Sequence, residues 1–113
     1  MHELSLAAEI LRIVQDAAAR DGFRQVALLR LEAGALCGVE VDALRFALSA
    51  IAQGTCLAGA HIDIEQPPGR AWCIECAAEV EIFSRADPCP QCGAVPLRPC
   101  GGHALRVLDL LVP

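Results

Sequence analysis

The chain has 113 residues, 55% of them apolar, and a formal net charge of −5 at pH 7 with every positive charge supplied by arginine. That length fits one domain with a modest core and room for a small satellite, and the apolar fraction excludes a disordered chain. The acidic balance argues against a phosphate-binding groove, and no run approaches the roughly 18–20 apolar residues of a membrane span.

In chain order, Leu6, Ala7, Ile10, Leu11, Val14, Ala17 and Ala18 recur at the spacing of an amphipathic helix, and Gly22 is placed to end it. Residues 24–33 read as a strand with Leu29, Leu31 and Ala33 on one face. Val26 is out of phase with them, which predicts a bulge or an early bend. Residues 34–38 form a loop. Leu44, Ala47, Leu48 and Ile51 mark a second helix, stopped by Gly54. His61–Glu65 alternates as a half-buried strand, and Pro67-Pro68-Gly69 is the strongest break in the chain. A cysteine-rich segment follows from about residue 71 to residue 100, and residues 104–112 read as a last strand.

This order predicts an α+β fold: two helices packed on a small mixed sheet, with a zinc-ribbon domain inserted before the last strand. Residues 1–68 with 102–113 are expected to form the first domain, and residues 69–101 the ribbon.

Glu3 and Glu9 stand where a secretory signal would carry Lys or Arg, so a cytoplasmic location is expected, and seven cysteines in a reducing compartment point to metal more than to disulfides. Cys73-Ile-Glu-Cys76 and Cys89-Pro-Gln-Cys92 are two C-x-x-C knuckles separated by residues 77–88. Each knuckle supplies two thiolates, and together they complete a tetrahedral Zn(II) site with no position open for water, which makes the metal structural. Gly93 suits the tight turn after the second knuckle. Iron is the competitor, because C-P-x-C-G also occurs in rubredoxin-like carriers; those resemble this segment only locally. Cys37 and Cys56 are expected as small buried apolar side chains. Cys100 and His103 form a soft pair two residues apart, although a turn leaving the ribbon is the simpler reading.

At the N-terminus, a free α-amine, the His2 imidazole and neighbouring amide nitrogens can chelate one ion in fused rings, a nitrogen-rich set suited to Ni(II) or Cu(II). His2 alone would mean little, since a lone terminal histidine is more often a surface residue. Glu32, Glu40 and Asp42 read as solvated charges.

MHELSLA at the start, the helix ending near DGF, then LEAGALCGVE, ALRFAL, QGT and the two cysteine knuckles together resemble the HypA/HybF hydrogenase-maturation nickel chaperones. The likeness spans essentially the whole chain. It implies nickel binding at Met1, His2 and Glu3, with Ni(II) as transported cargo, and structural zinc at Cys73, Cys76, Cys89 and Cys92. It also implies two partners, a nickel-delivery GTPase of the HypB type and the large subunit of a [NiFe] hydrogenase, with no role for membrane or nucleic acid. No nucleophile elbow, phosphate-binding glycine loop or paired catalytic carboxylates suggest an enzyme. The alternative is a zinc-ribbon module contacting nucleic acid or transcription machinery, which the four cysteines by themselves do not distinguish.

Overall fold

The computed structural model describes residues 3–113, so Met1 and His2 lie outside the described residues. Helix α1 spans Glu3–Asp21 and buries Ala7, Ile10 and Val14 along one stripe. It ends as expected: Gly22 takes φ 80, and its N–H reaches the Ala18 carbonyl at 2.8 Å. Helix α2 covers Val41–Ala52, buries Leu44, Ala47, Leu48 and Ala52, and packs against α1.

Strand β1 is Leu28–Ala33, shorter than the 24–33 read from the sequence, with Leu29, Leu31 and Ala33 buried in alternation. Val26 is only 1% exposed, yet it precedes the strand instead of bulging within it. Its N–H bonds to the Cys56 carbonyl at 2.9 Å. A hydrogen bond to the loop after α2 thus replaces the ladder that its apolar character suggested. Strand β2 is His61–Glu65. The guanidinium of Arg45 on α2 donates to its Ile62 carbonyl at 2.6 Å, covering a main-chain acceptor on this outer strand.

After the three ribbon strands β3 (Gly69–Cys73), β4 (Ala78–Ile82) and β5 (Arg98–Gly101), strand β6 (Leu105–Leu111) closes the chain. The first sheet has the order β2-β1-β6. Hydrogen bonds run from His61 to Ala27 and from Ala35 to Pro67, so partners advance together along β1 and β2, which are parallel. Those from Ala27 to Leu111 and Gly34 to Ala104 run in opposite directions, which makes β6 antiparallel. The sheet is therefore mixed, with α2 as the crossover that two parallel strands require. The second sheet has the order β4-β3-β5, and β3 pairs antiparallel with both neighbours. No helix among the described residues is long and apolar enough to cross a membrane.

Two compact units result. One runs from the chain start to Leu31, with Val39–Ile64 and Val107–Pro113; the other joins Glu32–Gly38 to Glu65–Arg106. In the helical unit Leu29, Leu31, Leu44, Leu48 and Leu57 are at most 1% exposed. At roughly 1.5–3 kcal/mol for each fully buried leucine, ordinary apolar burial holds this unit together.

The ribbon unit has a smaller core of Leu36, Ala71, Cys73, Val80, Ile82, Cys89 and Leu97. Its stem is stitched by three main-chain bonds of 2.9 Å, from Gly34 to Ala104, Ala35 to Pro67 and Leu36 to Gly102. The backbones there approach so closely that a methyl group on Gly34 would run into the Gly102 carbonyl, and one on Gly69 into the Leu36 side chain.

Candidate metal centre

The ribbon builds its site from two matching turns. Cys73 closes β3, and its sulfur accepts the Cys76 N–H at 3.4 Å; Ala77 then takes φ 51 before β4 begins. In the second turn the Cys89 sulfur accepts the Gln91 N–H at 3.4 Å, and Gly93 takes φ 77 with its N–H on the Cys89 carbonyl. The residue after each second cysteine is thus left-handed, a conformation glycine adopts freely and alanine only under strain.

The two turns bring their sulfurs together crosswise. Cys73 Sγ lies 3.6 Å from Cys92 Sγ, and Cys76 Sγ lies 3.8 Å from Cys89 Sγ. All four sulfurs fall within 4.8 Å of one another. Zinc–sulfur bonds of about 2.3 Å at tetrahedral angles place sulfurs about 3.8 Å apart, so the donor set fits a structural zinc ion. Cys73 and Cys89 are buried and Cys92 is exposed, so one edge of the cluster faces solvent.

The thiols are unequal. The Cys92 main-chain N–H, followed by that of Gln91, holds the Cys89 thiol down to about 6. Hydrogen bonding to the Cys92 side chain, with burial behind it, pushes Cys76 up to about 12. Four sulfurs this close cannot all carry charge without a cation among them, so the cluster retains protons that a metal ion would displace.

The remaining candidates separate. Cys37 and Cys56 are half-buried, not buried as expected. Cys100 lies in β5 and not in a turn, and both it and His103 are exposed. Among the described residues, the group of three or more metal-capable side chains consists of the four ribbon cysteines, and neither Cys100 nor His103 belongs to it.

Two acidic residues read as solvated are in use. Glu32 pairs with Arg106 at 3.1 Å, and Glu40 caps α2 by accepting the Asp42 N–H at 3.1 Å. Glu3, the described member of the N-terminal set, accepts the Glu40 main-chain N–H at 3.0 Å on Oε2. That contact spans 37 positions and has no local sequence signal. On the exposed side of α1, Arg12 pairs with Glu9 and, at 3.1 Å, with Asp16.

Residues 1–112 match the model of a family described as hydrogenase/urease nickel incorporation, metallochaperone, hypA. The chain is 61% identical over 112 residues to the hydrogenase maturation factor HypA of Cupriavidus necator, covering 99% of this chain and 94% of that protein. It is 53% identical to the factor of the same name from Polaromonas naphthalenivorans, with 99% and 97% covered. In fold it is similar to the solution structure of the Ni metallochaperone HypA from Helicobacter pylori, with a TM-score of 0.66 at 16% identity, covering 98% of this chain and 97% of that one.

Proposed function

Because the chain belongs to the HypA family of hydrogenase and urease nickel-incorporation metallochaperones, we propose that it binds Ni(II) at its own N-terminus and delivers it for maturation of a [NiFe] hydrogenase. The observation that carries this reading is a family match that runs from residue 1, across Met1-His2-Glu3, through all four ribbon cysteines.

The α-amine of Met1, the imidazole of His2 and Glu3 hold the cargo, while Cys73, Cys76, Cys89 and Cys92 hold zinc. A terminal chelate suits delivery because its ligands can be passed on without unfolding a core. A closed tetrathiolate suits retention, since a fourth protein ligand leaves no vacancy for an incoming donor. As a functional division, residues 69–101 keep the resident metal and residues 1–68 with 102–113 carry the cargo. The protein works in the cytoplasm and performs no catalysis of its own. It receives or passes nickel with a GTPase of the HypB type, using the exposed side of α1 around Glu9, Arg12 and Asp16. The large subunit of the hydrogenase is the recipient.

Calorimetric nickel titration tests the reading. His2→Ala removes the imidazole, and residues added before Met1 turn the amine into an amide. Each should weaken nickel binding at least about a hundredfold, since each removes one nitrogen ligand worth several kcal/mol. Zinc content and the circular dichroism spectrum should not change. If His2→Ala binds nickel as tightly as the parent, the ligands lie elsewhere and the N-terminal assignment is wrong. Purified GTPase that fails to associate with or without nickel removes the partner assignment.

A further inference from the structure

The four sulfurs of the ribbon differ in access. Cys73 and Cys89 are buried, Cys76 is half-buried and Cys92 is exposed. Gln91 and Gly93 on either side of Cys92 are exposed too, so a reagent in solution reaches the cluster at this corner. A coordinated thiol is held as the thiolate, the form that reacts with oxidants and electrophiles, and exposure decides which thiolate reacts first. Behind Cys92 stands a second sulfur. Cys73 Sγ is 3.6 Å away, the shorter of the two crosswise contacts, against 3.8 Å between Cys76 and Cys89. A reactive thiolate beside a resolving cysteine is the arrangement of redox-sensing thiols.

We propose that Cys92 is an oxidation site, attacking hydrogen peroxide and resolved by Cys73, so that the ribbon gives up its zinc under oxidant. The Cys92 thiolate attacks one peroxide oxygen, and the O–O bond breaks to leave Cys92 sulfenic acid and hydroxide. The sulfur has lost two electrons and the peroxide has gained them. The Cys73 thiolate then attacks the Cys92 sulfur, and the S–O bond breaks to expel a second hydroxide. Both hydroxides take up protons from the buffer. The product is a Cys73–Cys92 disulfide, which ties β3 to the second knuckle. Only Cys76 and Cys89 then remain as ligands, half of a structural zinc site. This stands on the four-sulfur site and not on the N-terminal nickel reading.

The zinc-loaded full-length protein tests it. With a small excess of hydrogen peroxide at neutral pH and no added thiol, a chromogenic chelator should register zinc release. Peptide mapping after alkylation should recover Cys73 linked to Cys92, with Cys76 and Cys89 as free thiols. Iodoacetamide below stoichiometry should label Cys92 before the other three cluster cysteines.

Cys92→His replaces the oxidisable sulfur with a ligand that zinc also accepts. It should keep the ion and release it under peroxide at least about tenfold more slowly than the parent. Cys100→Ser removes the other exposed cysteine, which lies outside the cluster, and should release zinc at the parent's rate.

Zinc release from Cys92→His as fast as from the parent overturns the proposal. So does release that slows in Cys100→Ser, or peroxide treatment that leaves the parent's zinc bound. If Cys92→His takes up no zinc, the peptide map of the parent decides: a first disulfide joining Cys89 to Cys92, or Cys73 to Cys76, sinks the assignment.

Discussion

The helical unit and the ribbon unit solve the same problem, holding a small chain closed, with different materials. The first buries five leucines almost completely, two of them on α2 itself. The second buries seven side chains, two of which are the sulfur donors Cys73 and Cys89. Where the helical unit has a core, the ribbon has a coordination site with a thin apolar backing. A core of leucines is a sum of many modest terms, so losing one is tolerable. A site of four donors is a single cooperative bond set, so losing one donor forfeits most of the ion's contribution.

The sharpest way to break that contrast is to remove a sulfur. Cys89→Ser should lose the zinc, and with it up to roughly 10–16 kcal/mol of apparent binding energy of the kind seen in small zinc peptides. Protection and dispersed amide signals of residues 69–101 should vanish, while most of the helical ellipticity at 222 nm remains. Helices that melt together with the ribbon would show that the units do not differ in this way.

Acid should act as the same experiment by degrees. Zinc holds the sulfurs as thiolates, so the bound ribbon is favoured above the ordinary thiol pKa of about 8.5 and weakened as pH falls. Cys89, held down to about 6 even without the ion, is the last thiolate to protonate. Zinc retention against a chelator should therefore decline steadily as pH falls below about 8, where protons begin to compete with the ion for the free thiols. A flat profile across that range would speak against thiolate ligation.

On the other side of the comparison, Leu44→Ala should cost about 2–5 kcal/mol by opening a cavity between α2 and its neighbours. It should lower the melting temperature while the zinc stoichiometry stays at one. Loss of zinc in this variant would mean that the helical core supports the site after all.

The smallest effect lies between the two knuckles. Gly93→Ala adds a methyl group that meets nothing within 4 Å, so only the backbone conformation at φ 77 resists it, at about 1 kcal/mol. Ala77→Gly relieves the same strain in the other turn but loosens the unfolded chain, for a net gain of about 0.5 kcal/mol. Chelator resistance measured on the pair should move in opposite directions.

Much of this was readable from residue order. The apolar stripe of α1, its stop at Gly22, the strand His61–Glu65 and the two cysteine knuckles are local patterns, and each appears in the structure where the pattern places it, although Asp63 is half-buried just as Ile62 is. What escaped reading depends on distant partners. The start of β1 was misjudged because Val26 is held by Cys56, thirty positions away. The inward-facing residues of β3 are Gly69, Ala71 and Cys73, small or sulfur-bearing side chains whose alternation carries little hydrophobic contrast. The role of Glu40 stayed hidden because its contacts with Glu3 and Asp42 run through atoms that no composition rule weighs, a main-chain N–H and a carboxylate acting as a cap.

The crowded stem of the ribbon bears on how such a chain can change over generations. Residues 34, 69 and 102 stand where backbone meets backbone or a core side chain with no space for a methyl group. The turn at residues 83–87, by contrast, is closed by Asp87 accepting the Phe83 and Ser84 N–H groups and is exposed to solvent. Variation in length and character is therefore channelled away from these three crowded positions and into the exposed turn, even though Gly69 pairs with Ile82 and so lies beside it.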